Sequence, residues 1–332
     1  MKGAAACFEY YKYIGTAGSA RQMGFITSAH MLADALEGGY AVGAFNVNNM
    51  EIIQGIIDAA IEQKSPFILQ VSQGARKYAG MPYIIKLCEA AMAEGPEDIV
   101  LHLDHGESFE VCREFLDSGF MSVMIDASSR PYSENIAETK RVAEYAHSKG
   151  AVVEGELGML SGIEDDVKVD EASSKFTDPS QACEFVEKTG VDSLAIAIGT
   201  SHGAFKYSGD PYLDFARLEE IASLLPGFPL VLHGASSVPD GIVSLANEYG
   251  GKITGSKGVP EEMLAKAASM GIAKINVDTD IRLAVTASIR KYLYSNPEDF
   301  DPRGYLREAR EAVKGMVMHK MQAVLNSSGR MH

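Results

Sequence analysis

Ile99-Val100-Leu101-His102-Leu103-Asp104-His105-Gly106 is an apolar run that closes on an acid, an imidazole and a glycine. Residues 99–103 read as a strand buried on both faces, the pattern of a parallel sheet. Such a strand has no reason to finish on Asp104-His105 unless its end opens into a site. Two later stretches share the grammar. Ile196-Ala197-Ile198-Gly199-Thr200-Ser201-His202-Gly203 and Pro229-Leu230-Val231-Leu232-His233-Gly234 also run apolar, then His, then Gly. Three of the eight histidines therefore follow strand ends. Three imidazoles converging from three strand ends make a zinc site with an open coordination position.

Working outward, the same unit repeats. Short apolar stretches at 40–45, 67–71, 99–103, 121–125, 151–155, 194–198, 229–232 and 273–277 read as strands. Amphipathic stretches follow them at 52–60, 82–93, 108–118, 132–149, 179–189, 213–224, 260–270 and 281–294. A helix at 28–37, capped by Thr27 or Ser28, precedes them all. Eight such units predict a closed (β/α)8 TIM barrel rather than an open doubly wound sheet. No G-x-G-x-x-G follows the first strand, which argues against a dinucleotide fold.

Polar residues gather at one end of these strands: Asn46, Ser72, Asp104, His105, Asp126, Glu156, His202, His233, Asn276 and Asp278. That is the end where barrel enzymes keep their chemistry. Residues 157–178 exceed an ordinary βα loop, carry Glu164-Asp165-Asp166 and read as a mobile lid. The segment 305–325 reads as an extra C-terminal helix, lying outside the barrel or on a partner subunit.

The totals bound the function. The chain has 332 residues, enough for one barrel with extensions, and a formal net charge of −15. That balance excludes a nucleic-acid binder, which needs a basic footprint. No apolar run reaches the ~18 residues of a membrane span. Cys7, Cys88, Cys112 and Cys183 are scattered, without C-x-x-C, as expected of reduced thiols in the cytoplasm. Residues 1–22 hold Phe8, Tyr10, Tyr11 and Tyr13, but Glu9 and Lys12 interrupt any signal-peptide core. They read as an N-terminal extension, with the barrel and its C-terminal helices at 23–332.

Each candidate has an ordinary reading as well. A single buried histidine is usually a hydrogen-bonded core residue, and only the shared context of His105, His202 and His233 favours a metal. His102 shares the parity of Asp104 and fills the barrel interior; His30, His147, His319 and His332 read as solvated. Asp104 is a helix cap or, beside His105, a general acid. Asp126 and Glu156 are further metal positions or partners that orient the imidazoles. Glu164 is a solvated lid acid or a base. Gly203 with Lys206, Gly234 with Ser236, and Asn276 with Asp278 and Thr279 form a phosphate grip on the last three strand ends. Ser72 and Arg282 are candidates for a second phosphate, and Asn46 joins the substrate-facing set.

Together LHLDHG, VEGELG, GTSHG-x-x-K, LHGASS and KINVDTD, in this order, resemble the class II, metal-dependent fructose-1,6-bisphosphate aldolases over about residues 27–290. The resemblance implies a (β/α)8 barrel that cleaves fructose 1,6-bisphosphate into dihydroxyacetone phosphate and glyceraldehyde 3-phosphate. It implies catalytic Zn2+ on His105, His202 and His233, with Asp126 and Glu156 at an alternative or second divalent-ion site. Asp104 would handle the proton of the aldehyde-side oxygen, and Glu164 the C3 proton. A monovalent cation, Na+ or K+, often sits beside this site, and the family is usually oligomeric, implying a homodimer or homotetramer. Asp278 with Arg282 looks like the fructose-type signature; the alternative is a tagatose-1,6-bisphosphate aldolase. Outside the resemblance stand a Schiff-base aldolase using Lys274, a metal hydrolase with Glu164 activating water, and a non-catalytic binding barrel.

Overall fold

The computed structural model describes residues 25–95, 99–159, 161–164, 167–169, 175–202 and 211–331. The N-terminal extension at 1–22 lies outside them. The eight expected strands are present: β1 (Val42–Asn46), β2 (Phe67–Ser72), β3 (Val100–Gly106), β4 (Ser122–Ile125), β5 (Val152–Leu157), β8 (Ser193–Ile196), β10 (Leu230–Leu232) and β11 (Ile272–Val277). All pair in parallel and close into a barrel in the order β1-β11-β10-β8-β5-β4-β3-β2. The remaining short strands are β6 (Ser161–Glu164), β7 (Val167–Val169) and β9 (Ser201–His202).

Alternation along the strands sorts the side chains. Outward residues such as Phe45, Leu69, Leu101, Val123, Val153, Leu194, Leu232 and Ile275 belong to the apolar layer under the outer helices. The inward parity carries Gln70, His102, Asp104, Glu154, Glu156, Lys274 and Asn276, all buried. The interior is therefore apolar at one mouth and polar at the other. At the apolar mouth α1 (Ala29–Gly38) packs Leu32 and Ala35 against Val42, Ala44, Ile68 and Val100. The Ser28 side chain does not cap α1 as expected. Its hydroxyl turns to Ser122 Oγ, 3.4 Å away, on the barrel floor.

The outer helices follow the anticipated order. They are α2 (Met50–Gln63), α4 (Met81–Glu94), α5 (Phe109–Asp117), α6 (Tyr132–Ser148), α7 (Pro179–Thr189), α8 (Phe215–Leu224), α10 (Glu261–Ser269) and α11 (Thr279–Ser295). Asn49, Ser108, Asp178 and Asp214 cap four of them through side-chain oxygens. Two helices escaped the sequence reading, α3 (Gln73–Ala79) and α9 (Asp240–Glu248). α3, of seven residues, is too short for a periodic stripe to declare itself, and α9 buries only Ala246 fully, which leaves its stripe weak. The final helix α12 (Pro302–His319) begins at a proline capped by Asp301 and ends in a π-helical turn, Lys320–Val324. It packs on its own barrel, against α2 and α11.

The segment expected to be a mobile lid contains paired backbone. β6 and β7 form an antiparallel hairpin, and β6 also pairs with β9 in parallel, Ser161 opposite Ser201 and Gly162 opposite His202. Among the described residues no helix is long and apolar enough to cross a membrane.

Candidate active site

The polar mouth is built by β1, β2, β3, β5, β10 and β11. Asp104 obeys the alternation of β3 and points inward. His105, one residue on, should point outward, yet it also faces the site. The backbone explains this. The β3–β4 register shifts between Leu103 and Gly106, and His105 adopts φ +48°. A left-handed non-glycine residue on an irregular strand end re-aims its side chain at a local energetic cost. Gly106 then lets the chain pass close by, since a Cβ there would lie 2.6 Å from the Met124 carbonyl oxygen.

His105 Nε2 and His233 Nδ1 face each other at 2.8 Å, with the rings nearly perpendicular. Asp104 Oδ1 lies 3.9 Å from the same His105 nitrogen. The remaining ring nitrogens are engaged by acids. His105 Nδ1 is 3.0 Å from Asp126 Oδ2 and 3.6 Å from Glu156 Oε2. His233 Nε2 is 2.6 Å from Glu154 Oε1. These partners fix the tautomers: each histidine donates its outer N–H to a carboxylate and turns a lone pair inward. Two inward lone pairs at this distance repel unless they share a positive charge. The donor set thus fits a divalent cation bound to two imidazoles and a carboxylate. Two groups, Asp104-His105-His233 and His105-Asp126-Glu156, each bring one ligand atom per residue within 4.8 Å of the others.

The electrostatics keep His233 in the ligand state. Burial holds His233 below its ordinary pKa, against the pull of Glu154. Burial works against ionisation of Glu154, but the Lys274 ammonium at 2.9 Å and the His233 hydrogen bond keep it a carboxylate. Partial burial of Asp126 is likewise outweighed by His105 and by the Ser128 donors.

Asp104 is held by three amides. Asn46 Nδ2 donates to Oδ2 at 2.7 Å, Gln70 Nε2 to the same oxygen at 3.3 Å, and Asn276 Nδ2 to Oδ1 at 3.2 Å. Gln70 also donates to the Asn46 carbonyl oxygen. Asn46, expected on the substrate side, supports Asp104. Asn276 lies 3.1 Å from His233 Nδ1, and its carbonyl oxygen is buried with no hydrogen-bond partner among the described residues.

The other expected residues divide. Ser72 is buried, and its hydroxyl caps α3 by accepting from Ala75 N–H at 3.2 Å. Gly234 sits at φ +59°, and a Cβ on it would come within 2.7 Å of the Ser201 carbonyl. The backbone leading into His202 therefore runs alongside His233-Gly234. The His202 and Glu164 side chains and residues Gly203 and Lys206 lie outside the described residues. Asp278 pairs with Arg282 across one helical turn, at 2.9 Å and 2.6 Å. Ser236 is buried, and Thr279 opens α11.

The sequence reading missed Glu154 and Gln70. Each shares the inward parity of a chosen residue two positions on, Glu156 and Ser72, so strand alternation was the available signal. Lys274, the Schiff-base candidate, is buried in its ion pair with Glu154. His102 is buried as expected, with Nδ1 2.8 Å from Ser122 Oγ. His147 and His319 are not simply solvated; they lie 2.9 Å from Asp192 and 2.7 Å from Glu261.

Comparison with known proteins agrees over most of the length. The family model Fructose-bisphosphate aldolase class-II matches residues 26–330. The chain is 47% identical to a fructose-bisphosphate aldolase of Treponema pallidum (strain Nichols), covering 94% of this chain and 99% of that one. It is 50% identical to a fructose-bisphosphate aldolase of Thermus caldophilus, covering 92% and 99% respectively. Among solved structures, the YdjI aldolase of Escherichia coli K12 superposes with a TM-score of 0.74 at 31% identity, over 93% of this chain and 100% of that one.

Proposed function

Since the chain belongs to the class-II fructose-bisphosphate aldolase family, whose members are metal-dependent lyases, we propose that the polar mouth of the barrel is its active site. The activity is the reversible aldol cleavage of fructose 1,6-bisphosphate to dihydroxyacetone phosphate and glyceraldehyde 3-phosphate. The observation that carries the site assignment is the pair of imidazole nitrogens, His105 Nε2 and His233 Nδ1, 2.8 Å apart beside Asp104.

In this reading His105 and His233, with His202, hold a zinc ion. Asp126 and Glu156 orient His105 and offer a second divalent position. When bound, the ion stabilises as a Lewis acid the negative charge that builds up as the C3–C4 bond breaks. Asp104, fixed by its three amides, receives the hydroxyl proton as the aldehyde carbonyl forms and returns it in condensation. Glu164, on the hairpin paired to β9, moves the C3 proton. Gly203, Lys206, Gly234, Ser236, Asn276, Asp278 and Thr279 bind the dihydroxyacetone-phosphate end, turning remote binding energy into alignment. Ser72 and Arg282 serve the other phosphate. The enzyme is cytoplasmic and a homo-oligomer, with a monovalent cation beside the site.

A coupled cleavage assay tests this reading. EDTA should abolish turnover of fructose 1,6-bisphosphate and Zn2+ restore it, while borohydride with substrate leaves activity intact. Borohydride inactivation at Lys274, or activity that survives chelation, would refute the metal assignment. A higher kcat/KM for tagatose 1,6-bisphosphate would move the substrate to that sugar.

A further inference from the structure

Behind the loops assigned to phosphate lies a charged cluster that the chemistry above does not use. Asp280, the second residue of α11, is wholly buried. Its oxygens accept the backbone N–H of Ser237 at 3.0 Å and of Val238 at 2.8 Å. One carboxylate thus ties the start of α11 to the loop after β10. That loop is strained, because Val238 sits at φ +48°, where a β-branched residue is a genuine outlier. It is also braced from behind. Val259 N–H donates to the Ser236 carbonyl at 3.2 Å, and a Cβ on Gly258 would lie 2.1 Å from the Ser237 carbonyl carbon.

An uncompensated carboxylate here would oppose its own purpose. It would lie buried next to a site meant for a phosphate dianion and cancel the attraction of the α11 N-terminus. Lys320 supplies a counter-charge, which Asp280 shares with Glu261. It is buried on the π-helical turn after α12, with Nζ 2.9 Å from Asp280 and 2.7 Å from Glu261, and it donates to Ser237 Oγ. The C-terminal helix therefore ends inside the wall of the active site.

We propose that Asp280 and Lys320 are positioning residues for the substrate phosphate: the pair locks the Ser236–Val238 backbone against the Asn276–Thr279 turn in the shape that phosphate needs. The proposal rests on the phosphate-grip reading above. It makes the C-terminal helix part of the selectivity for phosphorylated ketoses without any contact with the substrate.

The test uses the full metal-loaded chain in the condensation direction, with glyceraldehyde 3-phosphate saturating and inorganic phosphate as the probe. Lys320→Met should raise both KM for dihydroxyacetone phosphate and the inhibition constant of phosphate about tenfold. Bound metal should be unchanged and kcat should stay within about twofold, as expected when ground-state binding is lost. Asp280→Asn, which keeps its volume and one acceptor oxygen, should show the same split with a smaller rise. If Lys320 acts through Asp280, adding Lys320→Met to Asp280→Asn should cost little more. An unchanged phosphate inhibition constant, a loss of kcat or metal at constant KM, or full additivity would overturn the proposal. If Lys320→Met does not fold, the split in Asp280→Asn decides alone. Phosphate that fails to compete with dihydroxyacetone phosphate in the unsubstituted chain would instead refute the phosphate-grip reading, and with it this one.

Discussion

Glu154 shows how much of the site sits one residue behind the chemistry. It touches His233 with one oxygen and Lys274 with the other, at 2.6 Å and 2.9 Å. It fixes which ring nitrogen of His233 faces His105 and the proposed metal position, and Lys274 keeps it charged in a dry interior. Glu154→Gln preserves the shape and removes the charge. It should weaken metal binding about 10- to 100-fold with little change in fold. Titration against a chelating dye measures this, and an unaltered affinity would mean that the His233 tautomer is set elsewhere. Asp104, His105 and His233, which the fold brings together, stood out in the sequence because their residue types are unusual at strand ends. Glu154 did not, because an acid two residues before another acid in an apolar strand acquires its partner only when the barrel closes.

At the scale of elements, the C-terminal helix is the informative one. Its amphipathic stripe was visible, but not the surface it covers. In the structure α12 lies on α2 through a glycine: a Cβ on Gly55 would come within 2.8 Å of the Arg310 carbonyl oxygen. Arg310 pairs with Asp58 at 2.6 Å and Lys314 with Glu62 at 2.7 Å along the same seam. The surface pairs add little, whereas the close backbone approach sets the contact. Gly55→Ala should therefore destabilise the chain by about 1–3 kcal/mol, despite alanine's better helix propensity, because the overpacking has nowhere to relax. Urea unfolding reads this out; a more stable variant would show that the seam opens without cost. The hairpin of β6 and β7 makes the opposite point. Its strands are too short to announce themselves, and they are defined by pairing with each other and with β9.

For the whole molecule, a barrel with a charged interior should be sensitive to acid. Burial above all, with Lys274 and the neighbouring histidines, keeps His102 well below its ordinary pKa of 6.5. The unfolded chain takes up that proton as pH falls below about 6.5 while the folded chain does not, so stability is lost on acidification. Glu154, held low in the fold, has the same sign at more acid pH. The midpoint of thermal unfolding of the metal-free chain should fall steadily from pH 7 to pH 5. A flat profile would place His102 in contact with solvent. The sequence by itself determined the barrel, because eight doubly buried strands leave no other way to close a parallel sheet. It also determined which mouth collects the polar side chains, because the residues that close the apolar strands all lie at one end of the barrel. Only the tertiary structure decided that His105 turns inward beside Asp104, that three amides hold that acid, and that Lys320 reaches Ser237 and Asp280 from the far end of the chain. Those facts depend on a left-handed backbone angle, strand register and contacts between residues remote in sequence, none of which a local pattern encodes.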